Sequence, residues 1–189
     1  MIAWRSGLVL LAIVLFPLTL RGQDQYDFTI YVAFDDATLT LVDNTRGRIV
    51  RVFKIAVPST TPSRLPREAY VAGIDTDPVW VPTDKTIEAR ARQKIYLKAR
   101  YESYRVDPAN PLGLFRINLT FTRNDPKLPI KIHGTNKPEY VRSGAHVSRG
   151  CIRMLNSMEE HGEPGIAELV NLIQEHSVYV IFDRKGPSL

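Results

Sequence analysis

The sequence has 189 residues, of which 44% are hydrophobic and 24% are charged, and its formal net charge is +5. This length suits one domain around a single core, and the ordinary apolar content with a modest net charge excludes an intrinsically disordered chain. The single cysteine excludes both an internal disulfide framework and a cysteine-rich zinc motif. No P-loop or glycine-rich dinucleotide-binding pattern occurs, so nucleotide binding has no support.

The N-terminal segment has the pattern of a targeting sequence. Arg5 precedes the apolar run 7–20, and Arg21 and Gly22 follow it. The run is shorter than the roughly 20 apolar residues that a membrane-spanning helix needs, and it matches the apolar region of a signal peptide. We therefore expect residues 1–22 to be a signal peptide or an uncleaved N-terminal membrane anchor, and the protein to be exported. The alternative is a buried N-terminal helix.

The positive charge is weak evidence for a nucleic-acid partner. Removal of residues 1–22 takes away Arg5 and Arg21 and no acid, so the net charge falls from +5 to +3. The densest basic stretch, residues 85–105, is interleaved with acidic residues, which favours a solvated helix face over a basic patch. The functional alternative is a surface that lies on an anionic polymer or membrane. We expect no nucleic-acid partner, and membrane contact only through the N-terminal segment.

Hydrophobic patterning predicts a mainly β domain with about two peripheral helices. Alternation of apolar and polar residues, clearest in Phe115–Phe121, is typical of half-buried strands. Strands are predicted over residues 26–34, 38–42, 49–57, 115–121, 130–133 and 178–182. Residues 58–67 and 75–82 are predicted to be loops.

Two helices are predicted. Residues 85–99 are rich in alanine, arginine, lysine and glutamine, which favour helix. The second helix follows a capping-box spacing at residues 157–160 and carries an apolar stripe at the i, i+3, i+4, i+7 spacing of a core-facing helix. The stripe consists of Ile166, Leu169, Val170 and Ile173.

The lone cysteine, Cys151, has unusual neighbours. A free cysteine is most often a small buried hydrophobe. Here Arg149 and Arg153 flank the thiol and Gly150 precedes it directly. Nearby positive charge favours the thiolate, and the glycine would allow a substrate carbonyl to approach the Cys151 N–H as an oxyanion donor. The pattern therefore makes Cys151 a candidate nucleophile.

Two of the four histidines could accept the thiol proton. His133 ends a predicted strand and enters a turn, and His146 lies five residues before the cysteine. His176, after the last helix, is expected to be structural, and His161 is expected to be solvated. The residues themselves do not choose between His133 and His146 as the base. A zinc site formed by His133, His146 and Cys151 is a third interpretation, which no spacing rule supports.

Two short motifs around these residues resemble a known family. Residues 132–138 read Ile-His-Gly-Thr-Asn-Lys-Pro, and residues 148–154 read Ser-Arg-Gly-Cys-Ile-Arg-Met. This pair resembles the signature of the L,D-transpeptidase catalytic domain, also called the YkuD family. The combination is specific, whereas either half alone is a weak signal. The resemblance covers residues 26–183, and residues 75–105 are an insertion relative to the family pattern.

The resemblance implies a β-sandwich-like catalytic domain over residues 26–183. We expect no cofactor, and no metal because only three plausible ligands exist. By position, the resemblance implies that Cys151 is the nucleophile and that His133, held by the carbonyl of Gly134, is the proton acceptor and donor. Oxyanion or supporting roles are implied for Gly134, Ser148, Gly150 and Arg153, of which Arg153 would order the loop or the substrate carboxylate. The candidate substrate contacts are Thr135, Asn136 and His146.

The activity that the resemblance implies is acyl transfer on peptidoglycan stem peptides, in the periplasm or cell envelope. A thioester on Cys151 would be resolved by an amine, such as that of a second stem peptide or a wall-linked lipoprotein, to give a crosslink or attachment. Resolution by water would instead give an L,D-carboxypeptidase. A non-catalytic relative that only binds wall peptides is the remaining alternative.

Overall fold

A computed structural model describes residues 25–62, 65–123, 130–148, 150–156 and 162–187. The predicted targeting segment, the capping-box spacing at 157–160, Arg149 and His161 lie outside these residues. The strands are β1 (Phe28–Ala33), β2 (Thr38–Asp43), β3 (Arg48–Lys54), β4 (Val57–Pro58), β5 (Arg67–Thr76), β6 (Phe115–Phe121), β7 (Ile132–His133), β8 (His146–Ser148), β9 (Ile152–Arg153) and β10 (Val178–Asp183). The helices are α1 (Asp84–Ala91), α2 (Pro138–Arg142) and α3 (Ile166–Ile173).

The strands form one large curled sheet and one small sheet. The large sheet has eight strands in the order β3-β2-β1-β10-β5-β6-β7-β9, and β4 pairs with β8 in the small one. Pairing is parallel between β1 and β10 and between β7 and β9, and antiparallel at the other junctions of the large sheet. This architecture confirms the predicted mainly β fold class.

Helix α3 covers the core and confirms the predicted stripe. Its four stripe residues are buried and belong to one hydrophobic cluster with side chains of β1, β2 and β10. Burial stabilises each large aliphatic side chain by about 1.5–3 kcal/mol, so packing holds a helix that would be marginal alone. None of the helices in the described part of the chain is both long and apolar enough to cross a membrane.

Strand β5 is not predicted by the sequence pattern, which has loops on either side of it. Its alternation is broken because the register with β6 shifts between Val71 and Gly73. Most of its residues are partly or fully exposed, and Ala69 is buried. Pairing with β10 and β6 on its two sides forms this strand, and that tertiary effect overrides the weak local pattern.

Two other elements differ from the expected bounds. The helix expected over residues 85–99 ends at Ala91, and Lys94 takes a left-handed backbone conformation with φ 58°. None of its residues is buried, so no packing extends it. The strand expected over 49–57 divides: β3 ends at Lys54, and β4 begins at Val57 in the small sheet. The short elements α2, β8 and β9 were too brief to have a detectable period.

Candidate active site

Cys151 and His133 meet at one edge of the large sheet. Strands β7 and β9 pair in parallel, with His133 opposite Arg153 and Ile132 opposite Ile152. Two backbone bonds fix this register: Ile152 N–H donates to Lys131 O (2.8 Å) and Met154 N–H donates to His133 O (2.9 Å). Since Cys151 directly precedes β9, its side chain lies beside the β7 strand, and both Cys151 and His133 line one cleft.

The imidazole of His133 is held in one orientation and is neutral near pH 7. Its ring is buried, with 4% of the residue exposed, and Nδ1 lies 2.5 Å from the carbonyl oxygen of Gly134. A carbonyl can only accept, so Nδ1 carries the proton and Nε2 is left as an acceptor. Burial is the main cause that lowers the pKa of His133 to about 4; the bond to Gly134 acts in the opposite direction, and the charges of Arg153 and Arg116 contribute to the decrease.

The thiol of Cys151 is protonated near pH 7, contrary to the expectation drawn from its flanking arginines. Burial raises the pKa of Cys151 above its ordinary value. The backbone N–H of Lys131 and the charges of Arg153, Lys131 and Arg116 act in the opposite direction but are outweighed. The pair is therefore a neutral thiol beside a neutral imidazole.

Ser148 organises the turn that leads into Cys151. Its hydroxyl donates to the carbonyl oxygen of Cys151 (2.5 Å) and accepts from Gly150 N–H (3.2 Å). Its own carbonyl accepts from the N–H and the hydroxyl of Ser59, at 2.9 and 3.1 Å. The Gly150 N–H, expected as an oxyanion donor, is thus engaged inside the turn, whereas the Cys151 N–H donates to no described residue.

Gly150 and Arg153 both line the cleft. A Cβ added at Gly150 would meet no atom within 4 Å, so there is open space for a ligand. Arg153 is joined through its backbone to Ala56 by two bonds of 2.9 Å. Its guanidinium lies 5.9 Å from the ring centre of Tyr140, and its Nε is buried and bonded to no described residue.

Asn156 holds the loop that follows His133 through hydrogen bonds of its side chain. The sequence motifs do not include this residue. Its side chain is buried and donates to Thr135 O (2.6 Å), while its Oδ1 accepts from Leu114 N–H (3.0 Å). A Cβ at Gly113 or Gly134 would lie about 2 Å from that oxygen, at 2.0 and 2.1 Å respectively. Glycine is therefore required at both positions. The only sequence signal was the position of Asn156, two residues after the cysteine motif.

The three residues expected to contact substrate do not line the cleft. Thr135 is 2% exposed, and its hydroxyl accepts from Lys137 N–H (3.1 Å). The side-chain amide of Asn136 donates to Ala109 O (2.8 Å). His146 lies in β8 with its side chain exposed. The structure therefore brings His133, Ser148, Gly150, Cys151 and Arg153 together at one cleft and leaves these three outside it.

The insertion at residues 75–105 supplies the opposite wall of this cleft. The cavity has a volume of about 510 Å³. Across from Cys151 it is lined by Trp80, residues of α1 and the turn after it, Pro111 and Leu112. We call residues 77–112 the roof segment. Sequence reasoning identified its basic composition but did not predict its position over the cysteine.

The zinc interpretation has no geometric support. In the part of the chain that the structure describes, no three His, Cys, Asp or Glu side chains are grouped so that they could share a metal ion. His133, His146 and Cys151 all belong to that part. The two histidines are separated because His133 lines the cleft while His146 lies on the exposed small sheet.

Comparisons with known proteins agree with this architecture. A family model for the L,D-transpeptidase catalytic domain (YkuD) matches residues 27–179. Among solved structures, Bd1075 of Bdellovibrio bacteriovorus is 12% identical with a TM-score of 0.52, over 86% of this chain and 50% of that one. The Ldtfm–avibactam carbamoyl enzyme is 17% identical with a TM-score of 0.52, over 85% and 50%. A mutant of the helical cell shape determining protein Pgp2 from Campylobacter jejuni is 16% identical with a TM-score of 0.50, over 86% and 48%.

The chain spans about half the length of these solved structures. At these low identities the likeness shows the fold alone. No curated protein matches the chain significantly.

Proposed function

Because the chain belongs to the L,D-transpeptidase catalytic domain family, we propose that it is a cysteine-dependent acyltransferase acting on the stem peptides of peptidoglycan. The proposal rests on one observation above all. The thiol of Cys151, which directly precedes β9, and the buried imidazole of His133 in the paired strand β7 open on the same cleft, and the bond from Nδ1 to Gly134 O leaves Nε2 as an acceptor. A module that only bound wall peptides would need neither group.

The first half-reaction is acylation of Cys151. The thiol attacks the carbonyl carbon of the third stem residue, a diamino acid, while Nε2 of His133 accepts the thiol proton. The carbonyl oxygen becomes an oxyanion, which the free Cys151 N–H stabilises. Collapse of this intermediate breaks the amide bond, and the imidazolium returns the proton to the departing D-alanine amine. The product is a thioester on Cys151 and a neutral His133.

A neutral starting pair makes His133 necessary as a base. Since the thiol does not ionise on its own near pH 7, proton transfer must accompany attack, and a positioned base contributes about 10²–10⁴-fold in rate. The low pKa of His133 makes the imidazolium short-lived, so the proton passes readily to the leaving amine.

The second half-reaction sets the outcome. An amine from a second stem peptide or a wall-linked lipoprotein attacks the thioester carbonyl and loses its proton to His133. The C–S bond then breaks, the new amide is released, and the imidazolium returns the proton to the Cys151 thiolate, which makes the protein a transpeptidase. Attack by water gives a shortened peptide instead, the activity of an L,D-carboxypeptidase. We favour the amine because transpeptidation is the reaction of the family.

The setting of this activity is the cell envelope. Peptidoglycan lies outside the cytoplasm, so an enzyme acting on it must be exported, and residues 1–22 have the pattern of a signal peptide or membrane anchor. Crosslinking or trimming of stem peptides there would contribute to cell-wall organisation and cell shape.

The decisive experiment is incubation of the full chain with tetrapeptide-bearing muropeptides, followed by mass spectrometry. Crosslinked dimers would establish transpeptidation, and tripeptides without dimers would establish the carboxypeptidase. The matched control is Cys151→Ala, which should yield neither product. Unchanged muropeptides with the unaltered protein, under conditions in which the folded state is verified, would contradict the proposal.

A further inference from the structure

One face of α1 is turned toward the cleft that contains Cys151. Thr86, Ala89 and Arg90 line the cavity from one face of α1, and Gln93 lines it from the turn after the helix. This face is polar apart from Ala89, and none of the residues of α1 is buried. The face is therefore presented to whatever occupies the cleft.

The roof segment is fixed in place although its helix is exposed. Trp80 and Tyr101 exchange two backbone bonds of 3.0 and 2.9 Å, and their ring centres lie 5.1 Å apart. Buried Asn110 donates to two carbonyl oxygens of the roof segment, at 2.8 and 2.7 Å. Asn136, in the loop after His133, donates to Ala109 O and joins this segment to the catalytic edge. The orientation of α1 over Cys151 is thus set by the fold.

The charge that the described residues bring to the cleft is positive. Among them, the lining contains Arg90 and Arg153 but no acidic side chain. Arg90 forms no ion pair with a described residue, and its guanidinium donates to Gln93 Oε1 at 3.1 Å. Three other basic residues of the roof segment, none of which lines the cleft, are paired with acids: Lys98 with Asp107, Arg100 with Glu102, and Arg105 with Asp77.

The two arginines of the cleft interact unfavourably with each other. Burial lowers the pKa of Arg153, and the charge of Arg90 lowers it further. The Nε of Arg153 is also buried without a partner among the described residues. An anion bound between the two guanidinium groups would relieve the repulsion and satisfy this donor, and a carboxylate matches guanidinium geometry best.

We propose that Arg90 acts with Arg153 to bind a carboxylate of the donor peptide next to the scissile amide, which makes α1 a specificity-determining element. This inference rests on the proposed function, which supplies the peptide. A donor ending in D-alanine has a free carboxylate directly beyond the scissile bond. If the residue at position three of the stem peptide is of the diaminopimelate type, its side chain carries a second carboxylate. The C-terminal and the side-chain carboxylates are each close enough to the reacting carbonyl to reach this cleft.

The test compares Arg90→Gln with Arg92→Gln, a neighbouring exposed cation that does not line the cleft. Four donor tetrapeptides are used, with a free or amidated C-terminus and with lysine or diaminopimelate at position three. Release of the C-terminal residue gives kcat and KM. We expect Arg90→Gln to raise KM about tenfold for donors carrying the recognised carboxylate, the effect of losing a charged hydrogen bond. The effect on kcat should be under threefold, and Arg90→Lys should restore part of the loss.

The donor on which Arg90→Gln has no effect identifies the carboxylate that is recognised. If Arg90→Gln leaves KM unchanged for donors with an amidated C-terminus, the recognised group is the carboxylate of the leaving residue. If it leaves KM unchanged for donors with lysine at position three, the recognised group is the side-chain carboxylate. Equal effects of Arg90→Gln and Arg92→Gln, or equal effects on all four donors, would overturn the proposal.

A binding measurement separates this inference from the reaction itself. The same peptides are added to the Cys151→Ala variant, and binding is followed by the change in tryptophan fluorescence, since Trp80 lines the cleft. We expect Arg90→Gln to weaken binding about tenfold for the recognised donor only, the same charged hydrogen bond being lost. If Arg90→Gln weakens binding in this way but the unaltered protein shows no turnover, the proposed function is contradicted and the carboxylate site is still supported. Failure of all four peptides to bind would overturn the site as well.

Discussion

The two walls of the cleft are built in different ways. On the sheet edge, the loop after His133 and the turn before Cys151 are held by buried side chains, and Asn156 and Ser148 each make more than one hydrogen bond there. On the roof segment, α1 has no buried residue and is held only at its flanks. We therefore expect replacement of the buried side chains that support the sheet edge to disturb the fold, and replacement of side chains on α1 to leave it intact.

This difference separates chemistry from recognition. A base and a nucleophile must stay within hydrogen-bond reach of one proton, so their supports belong to the rigid part of a fold. Substrate contacts tolerate more variation, and exposed loops and short helices commonly supply them. Each substitution below tests whether its wall carries the role assigned to it.

The largest expected effect is the loss of turnover in Cys151→Ala. The change removes the nucleophile but little volume, so the melting temperature should stay close to that of the unaltered protein. Intact mass spectrometry should show an acyl adduct with a carbapenem in the unaltered protein and none in the variant. Turnover retained by the folded variant would mean that another group forms the acyl intermediate.

His133→Ala should slow acylation by about 10²-fold or more, since a neutral thiol then has no base to take its proton. His146→Ala is the control, because His146 lies outside the cleft, and it should cost less than tenfold. Stopped-flow acylation by a carbapenem measures both rates. A larger loss in the His146 variant, with its fold intact, would reverse the roles of the two histidines.

Gly113→Ala should destabilise the sheet edge by about 4 kcal/mol, from an unfavourable backbone conformation together with overpacking. The backbone at Gly113 has φ 68°, and a Cβ there would lie 2.7 Å from the Gly134 Cα. Gly73→Ala is the matched control, because a Cβ at Gly73 meets nothing within 4 Å. Urea unfolding of both variants gives the two free energies. Equal losses would show that the close approach of the two glycines is not what holds this loop.

The buried imidazole should also make stability depend on pH. The pKa of His133 is lowered to about 4 in the folded state, against about 6.5 in an unfolded chain. Between these values the unfolded state binds more protons, so stability falls as the pH falls from 6.5 to 4, by about 3 kcal/mol in total. The His133→Gln variant should lack this contribution. Parallel curves of unfolding free energy against pH for the two proteins would contradict the burial of a neutral ring.

The smallest effect is expected on α1. Ile87→Ser should change stability by less than about 0.5 kcal/mol, because no residue of this helix is buried. Leu169→Ala, in the buried stripe of α3, should cost about 2–5 kcal/mol. Thermal unfolding of the two variants compares the helices directly. A comparable loss in both would mean that α1 belongs to the core.

The sequence predicts those elements in which apolar residues recur at the spacing of a strand or a helix. Phe115–Phe121 alternates and forms β6 with the expected bounds, and the apolar stripe of α3 is buried as expected. Strand β5 has no such period, because its pairing on both sides replaces local pattern with tertiary contacts. The helix over 85–99 is too long in the prediction, because propensity without an apolar face does not define where a helix ends.

The site divides in the same way. The two motifs identify Cys151 and His133, since both are written in adjacent residues. The sequence does not predict the charge state of the thiol. Arg153 is visible in the sequence, whereas the burial that outweighs its effect on the pKa of Cys151 arises only on folding. The tie made by Asn156 and the position of α1 over the cleft depend on contacts more than 20 residues apart in the chain, such as Leu114 with Asn156.

The central position of β10 has a consequence for how the polypeptide is made. Residues 178–183 form the strand that joins β1, β2 and β3 to the rest of the large sheet. Until those residues have emerged, the first three strands have no partner on one side, and the hydrophobic cluster cannot close. Such dependence on distant contacts slows folding. We therefore expect a nascent chain to remain unfolded until residues 178–183 are available to pair with β1 and β5.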